Sequence, residues 1–256
     1  MTWLAVWLVG VGVADLTRAA SGYSRGRWPV VAGTAGVAVP AVLAGLTAPV
    51  DVVVLATSLV ALGLWVRFSA QALVTGTGHG PALAALALGG TWLVGLSGWA
   101  TPAGGVLARW LAWADPPLLD EATDPGAVLL VLGLLLVNLT TANLVVRLVL
   151  LAVGAMRPVR PLEADTGPQP SDQLRGGRLL GPMERVLILG LGLAGQLTAA
   201  GLVIAAKGLI RFPELQAKRD DRSSVDGVGI DAVTEYFLVG SFVSWLIALT
   251  SLALTR

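Results

Sequence analysis

Polar residues are sparse along this chain, and the apolar runs between them are long. Runs of roughly twenty residues recur, and about that many helical residues cross the hydrocarbon core of a bilayer. The pattern predicts spans at about 2–20, 29–48, 51–74, 81–99, 126–151, 186–208 and 235–254. The expected fold class is therefore all-α, a polytopic transmembrane helical bundle of about seven spans. Trp3, Trp28, Trp65 and Trp99 fall near the ends of these runs, where an indole suits the membrane interface. Between the fourth and fifth runs, "GGVLARWLAWADPP" sets apolar and aromatic positions around Arg109 and reads as a short helix lying in that interface. The acidic tract that follows, Asp115 to Asp124, does not match a calcium loop and reads as a solvated loop.

A Pro-, Gly- and Gln-rich stretch, "RPVRPLEADTGPQPSDQLRGG", interrupts the pattern after the fifth run. It divides the chain into a membrane bundle at 1–156, a polar linker at 157–182 and a two-span hairpin at 183–256. Composition agrees with a lipid-facing surface. Only 13% of the 256 residues are charged and mean hydropathy is +0.78, against roughly 25% charged residues in soluble domains. No basic residue precedes the first run and "TRAAS" is a poor cleavage site, so that run is expected to remain as a transmembrane helix. The expected location is the bacterial cytoplasmic (inner) membrane.

Net charge is +1, which leaves no electrostatic footprint for nucleic acid. There is no cysteine, and His79 is the single histidine, so neither a metal site nor a cofactor is expected. The partners expected are membrane lipids and a partner membrane subunit or a second copy of the chain. Orientation follows Lys and Arg. With the N-terminus outside, Arg18, Arg25, Arg27, Arg157, Arg160, Arg175, Arg178, Arg185 and Arg256 fall on the cytoplasmic side and Arg109 on the other. The group from Lys207 to Arg222 then falls opposite them, unless the sixth run is re-entrant or another span is miscounted.

Within the sixth run, "RVLILGLGLAGQ" carries Gly190, Gly192 and Gly195 in the spacing of a dinucleotide-binding fingerprint, with Glu214 about 20 residues on. That motif needs a strand before it and a parallel sheet around it, and the neighbouring runs are of bilayer length. On a helix, Gly190, Gly201 and Gly208 share a stripe with Ala194 and Ala205, which suits close packing of another transmembrane helix. A second stripe holds Arg185, Gln196, Lys207 and Arg211. "TGTGHG", Thr75 to Gly80, lacks the Gly-Lys-Ser/Thr ending of a phosphate loop and reads as a turn.

Ions inside a bilayer face a partner or a cavity. Asp15 and Arg18, Arg67 and Gln71, Asn143 and Arg147, and Glu184 with Arg185 all fall at the same predicted side and are expected to form one polar cluster. Lys207 and Arg211, four apart, are expected to pair with Glu214 and Glu235 and lock the last hairpin, or to hold a ligand such as a lipid phosphate. Asn138 and its threonine neighbours are expected to hydrogen-bond across helices.

"GRLLGPMER" at 177–185, "AAKGLIRF" at 205–212 and "EYFLVGSFVS" at 235–244 resemble the C-terminal part of a family of uncharacterised bacterial membrane proteins, a domain of unknown function. The resemblance rests on Glu184, Arg185, Lys207, Arg211, Phe212, Glu235, Tyr236, Gly240 and Ser244. Upstream, that family opens with a His and an Asp four residues later. Here Asp15 fits the second position, but Val11 stands at the first, so the resemblance implies no His-dependent chemistry. It points to residues and to no reaction. Three classes of function follow: a structural or accessory membrane subunit, a transporter or binder of a lipid phosphate or small anion, and a membrane-embedded enzyme on a lipid phosphate. The last would need a nucleophile or clustered carboxylates holding a metal, and no pair of acids at helical spacing lies inside a span.

Overall fold

The computed structural model describes residues 1–21, 26–114, 124–157, 177–220 and 230–255, without the side chains of 177–178, 210–220 and 230–233. The described residues contain no strand. Thr2–Ala20, Pro49–Thr75, Pro125–Ala152 and Thr234–Ala253 are each long and apolar enough to cross a membrane. The chain forms two compact units, Met1–Ala70 with Gly80–Thr141, and Gln71–His79 with Ala142–Leu254. The division between these units falls inside a helix, at Thr141. Residues 158–176 of the expected 157–182 linker lie outside the described residues, and its end is already helical from Gly177.

The first unit contains α1 (Thr2–Ala20), α2 (Trp28–Leu43), α3 (Pro49–Thr75), most of α4 (His79–Gly95), the short helix α5 (Gly105–Ala114) and α6 (Pro125–Leu136). Helix α6 begins where Asp124 accepts hydrogen bonds from the Gly126 and Ala127 amides and Pro125 supplies a preset first turn. It continues through a π-helical turn, Val137–Thr141, into α7 (Ala142–Ala152).

Helix α1 lies at the centre of this unit and is seated by glycines. A side chain at Gly10 would strike Val37 and the Gly33 carbonyl of α2, and one at Gly33 would strike Ala14. One at Gly12 would strike Leu136, and one at Gly133 would lie 2.9 Å from the Ala5 carbonyl. Pairs of small residues let helix backbones approach in this way. Position order shows α2 antiparallel and α6 parallel to α1. Trp7 packs its ring on Gly89 of α4.

The second unit contains α7, α8 (Gly177–Leu193), α9 (Leu197–Asp220) and α10 (Ile230–Ala253). Here the expected span at 186–208 is overturned: it is two helices. Gly195 adopts φ +76°, the Gly195 amide donates to Gly192 O, and the Gln196 amide donates to Leu191 O. Those two bonds around a left-handed glycine terminate a helix. The chain then doubles back, and Ile188 and Leu191 of α8 meet Ala200, Val203 and Ile204 of α9 over Ala248 and Trp245 of α10.

The packing role expected of Gly190, Gly201 and Gly208 is likewise not seen within the chain. A side chain at any of the three would meet no atom within 4 Å. Once the helix is broken at Gly195, the three no longer share one stripe. Gly192 does pack, against Leu252.

Candidate functional site

Two polar centres, one in each unit, hold Asp15 and Arg18 in the first and Asn143, Glu184, Arg185 and Lys207 in the second. In the first unit the link between α1 and α3 is made by long side chains. Trp3 Nε1 donates to Asp51 Oδ1 at 2.7 Å, Trp7 Nε1 to the Ser58 carbonyl at 3.0 Å, and Trp65 Nε1 to Asp15 Oδ2 at 3.0 Å. Arg18 donates to Ser69 Oγ at 2.7 Å and to the Val66 carbonyl at 3.1 Å. Partner numbers rise together along both helices, so α1 and α3 run parallel.

Asp15 and Arg18 are 1% and 2% exposed, and Arg18 Nη2 lies 3.8 Å from Asp15 Oδ1, one turn away. A buried ion is tolerated when paired and hydrogen-bonded, and this pair has both. Thr140 Oγ1 donates to the Gly12 carbonyl at 3.1 Å across the α1–α6 contact. It does so from the π-helical turn, where Asn138 and Thr141 are also fully buried. At the opposite end of α3, Asp51 gathers Trp3, the Thr101 hydroxyl at 2.8 Å and the Ala48 amide at 3.2 Å.

The second centre joins α7, α8 and α10. The guanidinium of Arg185, 1% exposed, donates to Asn143 Oδ1 at 2.6 Å and to Ser244 Oγ at 2.9 Å. Beside it, Lys207 Nζ lies 2.5 Å from Glu184 Oε2, each side chain 17% exposed. That ion pair ties α9 to α8, not to α10 as expected. The cause is the turn at Gly195, which brings Lys207 back level with Glu184.

Arg67 and Glu235 are exposed and make no ion pair among the described residues, and Arg147 is half-buried on α7. The side chain of Arg211 lies outside the described residues, as does that of Glu214. Trp3 and Trp65, read as interfacial, are buried donors, whereas Trp28 and Trp99 are exposed.

Sequence reasoning did not pick out Asp51, Ser58 or Ser69. The signal available was spacing: Trp3, Trp7, Asp15 and Arg18 fall on α1 as Asp51, Ser58, Trp65 and Ser69 fall on α3. Two polar patterns in register suggest facing helices. Among the described residues no three His, Asp or Glu side chains gather as metal ligands. An apolar groove of about 650 Å³ between α3 and α4 is lined by Ala61, Leu64, Leu88, Gly89 and Trp92 among others, with no ionisable group. Comparison with protein-family models, with curated protein sequences and with solved structures found no match.

Proposed function

We propose that this chain is a multi-pass protein of the bacterial cytoplasmic membrane, with about seven embedded segments, that serves as a structural or accessory subunit of a membrane assembly. Its likeness over 177–245 to a family of uncharacterised membrane proteins belongs to the same proposal. The observation that carries it is the use of the buried ions. Asp15 with Arg18, Arg185 with Asn143 and Ser244, and Glu184 with Lys207 are bound to groups on neighbouring turns and helices of the chain itself. Groups so engaged fix helix register, whereas a transport path or an active site presents them to a cavity.

A side chain at Gly190 or Gly201 would meet nothing among the described residues, and we assign that surface to lipids, a partner subunit or a second copy. Native mass spectrometry of protein extracted in mild detergent tests the reading. It expects a co-purifying membrane subunit or a second copy, lost on Gly190→Leu or Gly201→Leu without loss of fold. A monomer whose mass is unaffected by either change speaks against it.

A second reading, a binder of a lipid phosphate, is favoured by Arg67, which is exposed toward the end of α3. Retention of an anionic lipid by the wild type and its loss in Arg67→Ala would support that reading.

A further inference from the structure

The α8–α9 hairpin bears on which side of the membrane each loop occupies, given the membrane reading above. From Arg185 to the turn at Gly195 the chain rises at most about 15 Å at ~1.5 Å per residue, about half of a hydrocarbon core roughly 30 Å thick. The Glu184–Lys207 pair closes the open end and is partly exposed, as charges at a headgroup boundary would be. At the closed end the amides of Ala194, Gly195 and Gln196 are bonded to Gly190, Gly192 and Leu191 carbonyls. Backbone groups inside a bilayer need partners, and these three amides have them.

We propose that α8 and α9 form a re-entrant hairpin that enters from the cytoplasmic face, turns at Gly195 and leaves by the same face. The charge distribution supports this independently. With the N-terminus outside, a single crossing at this position would put Lys207, Arg211, Lys218, Arg219 and Arg222 outside. A hairpin returns that whole group to the cytoplasmic side, and α10 then crosses outward. Of the 17 lysines and arginines, only Arg109 and Arg256 follow outward-crossing segments. Arg67 and Arg147 lie toward the inner ends of the helices that contain them. This is the asymmetry that fixes orientation in multi-pass proteins.

The chain contains no cysteine, so single-cysteine variants report one site each. Ala103→Cys, Ser171→Cys, Ser223→Cys and Thr255→Cys would be treated in spheroplasts with a membrane-impermeant maleimide, and again after lysis. Ala103→Cys and Thr255→Cys should label in intact spheroplasts, and Ser171→Cys and Ser223→Cys only after lysis. Ser224→Cys repeats the decisive site should Ser223→Cys fail to accumulate. Labelling of Ser223→Cys or Ser224→Cys in intact spheroplasts overturns the hairpin. Labelling of Ser171→Cys there overturns the orientation. If carbonate washing strips the wild-type chain from membranes, the membrane reading itself fails, and the labelling pattern carries no topology.

Discussion

Helices α1 and α10 are both long and apolar enough to cross a membrane, yet their surroundings within the chain are opposite. The best window of α1 has mean hydropathy 1.3 and is 72% buried, while that of α10 has 1.8 and is 28% buried. α1 carries an aspartate and an arginine near its end. α10, over the same window, has Glu235 at its start and otherwise turns Leu238, Phe242, Leu246 and Leu249 outward. A helix whose surface meets lipid must be apolar around most of its circumference, whereas one sheathed by other helices can carry charge if the sheath supplies partners. The comparison explains why the least hydrophobic of the four long helices is the most enclosed. Protein, not lipid, solvates it.

Changes at the two helices should therefore differ sharply in cost. Asp15→Ala leaves Arg18 buried without its acid and should destabilise by about 3–5 kcal/mol, read as a large loss of melting temperature in detergent. The double change Asp15→Leu with Arg18→Met removes both charges and should recover most of that loss; if it does not, the pair is more than a structural lock. Gly133→Leu forces α6 away from Ala5 and Leu8 and should cost about 1–3 kcal/mol, while Gly190→Leu, facing open space, should leave stability within about 0.5 kcal/mol. On α10, Ser244→Ala removes one bond to Arg185 and should cost about 1 kcal/mol. Phe242→Ala should fall within about 0.5 kcal/mol in the same melts, and a larger effect would show that this face of α10 is covered in the purified protein.

The long apolar runs were legible because bilayer thickness imposes a length that survives any detail of packing. α1, α3, the Pro125–Ala152 helix and α10 begin and end within about five residues of their expected bounds. What packs against what was less legible. The chain has 32 glycines, and a stripe at helical spacing does not reveal whether another helix lies over it. Gly10, Gly12 and Gly133 are covered; Gly190, Gly201 and Gly208 are not. The break at Gly195 did leave a sign, since a glycine followed by Gln196 inside an apolar run is a helix-ending signal. The misplaced basic group from Lys207 to Arg222 was the other sign. Trp65 shows the limit of reading tryptophan by position, because near a span end an indole serves equally as a headgroup anchor or as a buried donor to a carboxylate.

The enclosure of α1 constrains the order of events during synthesis. This helix leaves the ribosome before α3, which holds Trp65, Val66 and Ser69, the partners of Asp15 and Arg18. Until Trp65, Val66 and Ser69 have emerged, the two charged side chains lack these partners. α1 must therefore wait beside the insertion machinery, or in water, for its later neighbours. A truncation ending after α2 should be held there or degraded, and one extending past Thr141 should be released into the bilayer.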